Sequence, residues 1–283
     1  SVDALKHDIL VNYAQQMPTA IVGIGGGSTL DSAKAVSNLL TNPGPSANYQ
    51  GWDLVKNPGI FKVGIPTLAG TGAEASRTCV LTNYDTGVKL GMNSNFTLFD
   101  YLILDPSLLA TVTRTQFFYT GMDTYIHCVE SLEGNIRHAA ADELSEQALE
   151  LVREVFLSSD MQSEENFEKL MAAAFLGGTA IANSMVGVVH PFSAGLSIVR
   201  GTHHCEANCI ALQALKDFYP EATNEFELMR AKQNITIASN LCTNATDTDH
   251  HQLRESTVVH EKPLRNALGE NFLEILTPER VRS

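Results

Sequence analysis

A chain of 283 residues, 44% hydrophobic and 18% charged, is long enough to bury one large core or two ordinary ones. Its 19 Lys+Arg against 32 Asp+Glu give a formal charge of −13, which repels a phosphate backbone and argues against a nucleic-acid partner. No stretch approaches ~18 continuous apolar residues, so no transmembrane helix and no membrane partner are expected, and five irregularly spaced cysteines (Cys79, Cys128, Cys205, Cys209, Cys242) suit the reduced thiols of a cytoplasm.

In chain order, SVDALKHDIL reads as an amphipathic helix rather than a signal peptide. TAIVGIG (19–25) is a buried strand followed by glycines, and STLDSAKAVSNLL (28–40) is a helix opening on Ser28. FKVGIPT (61–67) is a second apolar strand, running into LAGTGAEAS. TCVLTNY (78–84) and KLGMN (89–93) flank the turn DTG and fit a hairpin, and YLILDP (101–106) is a further strand stopped by proline. Strand–helix alternation with short glycine-rich turns predicts a parallel α/β sheet over residues 1–113. From residue 114 the apolar spacing turns helical and strand patterns vanish, which predicts a second, all-helical domain over 114–283. NATDTDHHQLRES (244–256) reads as a polar loop leading into a helix, with His250 and His251 solvated.

VGIGGGSTLDSAK places three consecutive glycines and a serine between a strand and a helix. Glycine lets backbone approach a bulky anion, and the helix start offers free N–H groups at its positive end. PTLAGTGAEAS (66–76) is a second glycine/threonine loop after a second strand, and ligands of α/β sheets bind in the crevice at such strand ends. A tight strand–helix turn with no ligand is the alternative for either loop taken alone. Together they favour a nucleotide.

Three of the nine histidines, His190, His203 and His204, fall within fifteen residues. Asp123 and His127 in GMDTYIHCVE are i and i+4 on a helix and share a face, from which a carboxylate and an imidazole can chelate a cation. With His190 and His204 they make a mixed nitrogen and oxygen set suited to Fe²⁺ or Zn²⁺, with positions left for a substrate oxygen. The spacing leaves two alternatives open: histidines satisfied in a core, and cysteines 205 and 209 packed on a helix without metal.

The chain resembles the iron-containing (group III) alcohol dehydrogenases over nearly its whole length. The matching pieces are GIGGGSTLDSAKA, IPTLAGTGAEAS, LDPSLL, GMDTYIHCVES and the pair His190 and His204, in the family's order. The resemblance implies an N-terminal Rossmann-like parallel sheet and a C-terminal helical metal-binding domain, the dehydroquinate synthase-like architecture. It implies that Asp123, His127, His190 and His204 bind a divalent metal, Fe²⁺ or Zn²⁺. It also implies that Gly25, Gly26, Gly27 and Ser28 hold the pyrophosphate of NAD or NADP, with Thr67, Leu68, Thr71 and Lys89 nearer the ribose and nicotinamide. The expected reaction is hydride transfer from a small alcohol to the nicotinamide, in a homodimer.

Family members often carry a second histidine four residues after the third ligand; here that position is Ala194, and His203 is a speculative substitute for any proton relay. The family's first strand and helix precede TAIVGIG and its usual tail extends beyond PERVRS, so the sequence is expected to be a fragment. GVVHPFSAGLS, GTHHCEAN and VVHEKPLRNALGENF resemble the 3-deoxy-D-manno-octulosonate 8-oxidase branch. That branch implies oxidation of the terminal C8 hydroxyl of an eight-carbon sugar acid in lipopolysaccharide synthesis. Arg200, between His190 and His204 in the sequence, or a neighbouring donor is then expected at the acid end of the substrate, with a solvated loop arginine as the alternative. An oxidase implies oxygen as acceptor, which nucleotide motifs do not support. The rival readings are a general short-chain alcohol or diol dehydrogenase, a dehydroquinate synthase-like lyase, and a degenerate NAD- or metal-binding protein without catalysis.

Overall fold

The computed structural model describes residues 1–83 and 85–282, with Val88 described by its backbone only. Helix α1 (Val2–Asn12) precedes β1 (Ala20–Gly25) and α2 (Gly27–Leu39). Then follow β2 (Gly51–Trp52), β3 (Phe61–Pro66), β4 (Thr78–Asn83), β5 (Val88–Asn93) and β6 (Tyr101–Leu102). The predicted parallel sheet is present as β1-β3-β6, in register from Ala20 opposite Phe61 to Gly25 opposite Pro66. Helix α2 packs so close to β1 that a Cβ on Gly23 would lie 2.8 Å from the Ala33 Cβ. The strand expected over YLILDP pairs only at Tyr101 and Leu102, because Asp105 caps a short 3-10 turn that begins at Pro106. The expected hairpin forms, with β4 antiparallel to β5, but it belongs to a second sheet completed by β2, which has too few residues to show a strand pattern. Its Tyr84 end lies outside the described residues.

From Arg114 onward the described chain is helical. The helices are α3 (Arg114–Glu133), α4 (Ala139–Leu157), α5 (Glu164–Asn183), α6 (Val189–Arg200), α7 (His204–Ala214), α8 (Pro220–Lys232), α9 (Asp247–Val258), α10 (Glu261–Leu268), α11 (Phe272–Ile275) and α12 (Pro278–Arg282). Their core is aromatic, with Phe118 meeting Phe156 edge-on at 5.3 Å between centroids. None of these helices is long and apolar enough to cross a membrane. The segment expected as a polar loop carrying His250 and His251 is helical from Asp247. A reciprocal capping box between Thr246 and Asp249 starts α9 there, and it turns a run of loop-like residues into a helix start. His251 is exposed on α9, whereas His250 is half-buried.

The loop between β3 and β4 joins the two halves. A Cβ on Gly70 (φ +147°) would lie 1.7 Å from the Thr120 carbonyl oxygen of α3, and one on Gly72 (φ +62°) would lie 2.6 Å from Gly178 Cα of α5. Thr124 Oγ1 donates to the Gly70 carbonyl at 2.8 Å. On the other side the buried Lys34 ammonium donates to the Ser76 and Thr78 carbonyls, at 2.8 and 2.9 Å, tying α2 to the same loop. Gly70→Ala must therefore push the loop off α3. Urea unfolding should show a loss of about 3 kcal/mol or more, against about 1 kcal/mol for Gly269→Ala, which shares a positive φ but meets nothing within 4 Å.

Glu74 in that loop is buried, and neither carboxyl oxygen has a hydrogen-bond partner beyond its own backbone. Burial pushes its carboxyl up to about 7, and burial pushes Asp31 up to about 6 despite Lys34 beside it. Both groups hold a proton in the folded protein that the unfolded chain releases. Their contribution is full below the unfolded carboxyl range and is lost as pH rises through about 6 to 7. Compared by urea unfolding between pH 4 and pH 8, the wild type should lose stability relative to Glu74→Gln as pH rises through about 7, whatever slope the buried histidines impose on both.

Candidate metal centre and nucleotide crevice

Helix α3 carries Asp123, His127 and Glu130 at i, i+4 and i+7, one face of a rod, and all three are buried. His190 sits in the first turn of α6 and His204 is the first residue of α7. Gly201, left-handed at φ +67°, ends α6 and lets the chain return so that both helix starts face α3. Asp123 Oδ1 is 3.4 Å from His190 Nε2 and 3.8 Å from the Nε2 atoms of His204 and His127. Donor atoms of Asp123, His190 and His204 all lie within 4.8 Å of one another. His127 stands at the edge of this group, its ring stacked on that of His190 at 4.5 Å and 13°.

The electrostatics suit a cation. Burial alone would raise the Asp123 carboxyl, but His127, His204 and His190 hold it well below the usual carboxylate range. Burial pulls His204 down to about 3 and His127 to about 4, so both imidazoles are neutral with a lone pair to give. Burial would lower His190 as well, yet Glu130 and Asp123 raise it to about 9. One ionised carboxylate and three imidazoles, with His190 giving up its Nε2 proton to the incoming ion, form a donor set that fits Fe²⁺ or Zn²⁺.

Glu130 and Asn208 escaped the sequence reading. Glu130 Oε1 accepts from the Val189 N–H at 2.5 Å, and its Oε2 bonds His190 Nδ1, so the carboxylate fixes which ring nitrogen faces Asp123. Its signal was the i+7 position on the Asp123 face of α3. Asn208, one turn after His204, places its amide nitrogen 2.6 Å from Asp123 Oδ1, and the Cys205 thiol donates to Asp123 Oδ2 at 3.3 Å. Glu130→Gln should leave the fold intact and weaken metal binding by about 10- to 100-fold, measured by chelator competition. An unchanged affinity would remove Glu130 from the centre.

The glycine turn closes β1 onto α2. Gly26 is the N-cap, no side chain caps the helix, and its first turn holds no acidic residue, so the leading N–H groups remain available to an anion. The second loop lies against the turn: the Thr67 N–H donates to the Gly25 carbonyl at 3.0 Å. A Cβ on Gly26 would meet Leu68 at 2.8 Å, and one on Gly27 would meet Thr71 at 3.0 Å. Gly25, Gly26, Gly27, Thr67, Leu68 and Thr71 thus form one packed wall, with Ser28 exposed on it.

A cleft of about 610 Å³ brings Ser28, Thr82, Lys89, Ser197, His203 and His204 together, so Ser28 at the end of the turn and His204 of the cluster face one opening. Burial pushes the Lys89 ammonium below its usual value, against the pull of Cys205, Asp31 and Asp123. His203 caps α7 and is exposed on the cleft wall, and Ala194 is buried on α6. Arg200 is directed elsewhere: its guanidinium lies 3.6 Å from the Asp249 carboxylate of α9.

Comparison with known proteins gives the fold and the family of the chain. The 1,3-propanediol dehydrogenase of Klebsiella pneumoniae is 32% identical over 215 residues, covering 74% of this chain and 55% of that protein. The sulfoacetaldehyde reductase of Bilophila wadsworthia is 34% identical over 182 residues, covering 63% of this chain and 46% of that protein. The chain thus spans about half the length of the curated relatives it matches. Among solved structures, a 1,3-propanediol oxidoreductase superposes with a TM-score of 0.83 at 25% identity, covering 99% of this chain and 80% of that one. The sulfoacetaldehyde reductase of Bifidobacterium kashiwanohense, solved with NAD⁺, shares the fold at a TM-score of 0.80 and 21% identity, covering 99% and 78%. The model of iron-containing alcohol dehydrogenases matches residues 6–106 and that of the C-terminal region of the same family matches residues 117–261, so the chain belongs to the iron-containing alcohol dehydrogenase family.

Proposed function

We propose that the protein is a metal-dependent oxidoreductase that exchanges hydride between a short-chain alcohol or diol and NAD or NADP, as a homodimer in the cytoplasm. The observation that carries this reading is the cleft that runs from Ser28 at the uncapped start of α2 to His204, whose Nε2 lies 3.8 Å from the buried Asp123 carboxylate. When bound, the cation supplies Lewis acidity that lowers the pKa of a substrate hydroxyl, and the nicotinamide supplies the hydride acceptor. Asp123, His127, His190 and His204 hold the cation, and Glu130 keeps His190 in the orientation it needs. Gly25, Gly26, Gly27 and Ser28 receive the pyrophosphate on backbone N–H groups, while Thr67, Leu68, Thr71 and Lys89 line the approach to the ribose and nicotinamide. His203, on the open wall of the cleft, is placed to pass a proton to solvent.

The sugar-acid reading needs a cation for the substrate carboxylate, and Arg200, the residue expected there, is paired with Asp249. Lys89 is the one lysine or arginine among the described residues lining the cleft. The names of the relatives, a propanediol dehydrogenase and a sulfoacetaldehyde reductase, also favour short substrates. The test is protein purified under nitrogen, loaded with Fe²⁺ or Zn²⁺ and supplied with NAD or NADP. 1,3-Propanediol should be turned over with a kcat/KM at least tenfold above that for 3-deoxy-D-manno-octulosonate. The reverse preference would restore the sugar-acid branch. Metal bound without turnover of any alcohol or aldehyde would favour a non-catalytic binding protein. His204→Ala should lose both stoichiometric metal and activity, and metal retained at one equivalent would show the ligand set to be wrong.

A further inference from the structure

His260, at the junction of α9 and α10, is a polar group of the interior that the metal centre and the glycine turn leave unused. Its backbone N–H donates to the Thr257 carbonyl at 3.1 Å, its side chain caps no helix, and its Nε2 is buried with no hydrogen-bond partner. A ring nitrogen closed off from solvent needs a partner from the protein.

The strands show which side chain faces it. Side chains two residues apart on a strand share a face, so Lys89, Gly91 and Asn93 of β5 point the same way. Trp52 of β2 stands in register with Asn93 and points with them. The start of α10 covers this face, with the Lys262 ammonium 3.9 Å from the centre of the Trp52 ring. Behind it, α9 is pressed on α6: a Cβ on Gly195 would lie 2.8 Å from both the Leu253 and the Thr257 side chains. His260, three residues after Thr257 and two before Lys262, is therefore held between α6 and the face of β5 that carries Lys89. Burial, then Lys89 and His190, hold the His260 pKa down to about 4, which puts all three groups in one neighbourhood and leaves the imidazole neutral with a lone pair to give.

Lys89 offers the complement. Among the described residues no hydrogen bond or ion pair engages its ammonium, which stands on the wall of the cleft. An ammonium is a compact charge with three donors on a flexible stem, so one anchored donor gives the other two a direction. We propose that His260 is the positioning residue of Lys89: its Nε2 accepts one N–H of the ammonium and so aims the other two at the nucleotide. The four-carbon stem gives the ammonium the reach to make this bond by a change of rotamer. This rests on the reading of Lys89 as a nucleotide contact.

The test is calorimetric titration of the full chain with NAD⁺ or NADP⁺, whichever the wild type binds more tightly, with Zn²⁺ affinity measured beside it. His260→Leu should weaken the nucleotide by about tenfold and leave Zn²⁺ affinity unchanged. His260→Gln, whose amide oxygen accepts the same bond, should recover most of the loss. In a Lys89→Met background His260→Leu should cost nothing further, because the bond it removes is already gone. A full tenfold cost persisting in that background would overturn the proposal, as would a folded His260→Leu with wild-type nucleotide affinity. Nitrogen NMR of the histidines in the nucleotide-loaded wild type should find His260 Nε2 unprotonated, and an N–H at that atom would overturn the proposal even if no variant folds. Lys89→Met with wild-type affinity would overturn the placement of Lys89 and the proposal with it. A wild type that binds neither nucleotide would overturn the nucleotide reading itself.

Discussion

The loop between β3 and β4 presses against α3 and α5 at distances only glycine allows, and the site depends on that contact. One edge of the loop, Thr67 to Thr71, forms the wall of the glycine turn through the Thr67 N–H and the side chains over Gly26 and Gly27. The other edge receives the Thr124 hydroxyl at Gly70, and Thr124 is the neighbour of Asp123. The span from the glycine turn to the aspartate is therefore set by one short loop and one hydrogen bond. A close-packed backbone contact holds such a span with little play.

Electrostatics divides the interior into two kinds of buried charge. Asp123 and Glu130 have partners suited to anions: imidazoles, an amide, a thiol and a backbone N–H. Glu74 has only its own backbone N–H and the nearby Lys34, and burial outweighs them to push its carboxyl up to about 7. A fully buried carboxyl thus stays ionised at Asp123 on α3 and is pushed up at Glu74 in the loop, because of what surrounds each one. A carboxylate must be ionised to attract a cation, so the donors gathered on α3 are a requirement of the centre.

Much of this was legible in the sequence, and the misses have physical reasons. The i and i+4 spacing put Asp123 and His127 on one face, but such pairs are common on helices, and the family resemblance is what singled them out. Glu130 shares that face, but a glutamate on a helix is commonplace, and its role depends on α6 arriving from sixty residues away. Asn208 is one turn from His204 and carries no charge, so nothing local marks it. The strand pairs of β1 and β3 followed from their apolar runs, whereas β2 and β6 contribute two residues each and leave no periodicity to read. Arg200 lies near the ligands in sequence yet faces α9, since a helix turns its last residue away from its first. His250 and His251 looked like loop residues because capping boxes are built from loop-like residue types.

The grouping of Asp123, His127 and Glu130 on a single rod has a mechanical corollary. When α3 slides or tilts as a body, all three move together and their mutual geometry is preserved. Such motion displaces the donor cluster as a unit against His190 and His204. His190 and His204, by contrast, sit on two helices joined through the left-handed Gly201, so a change in the angle of that turn would shift them relative to each other and to α3.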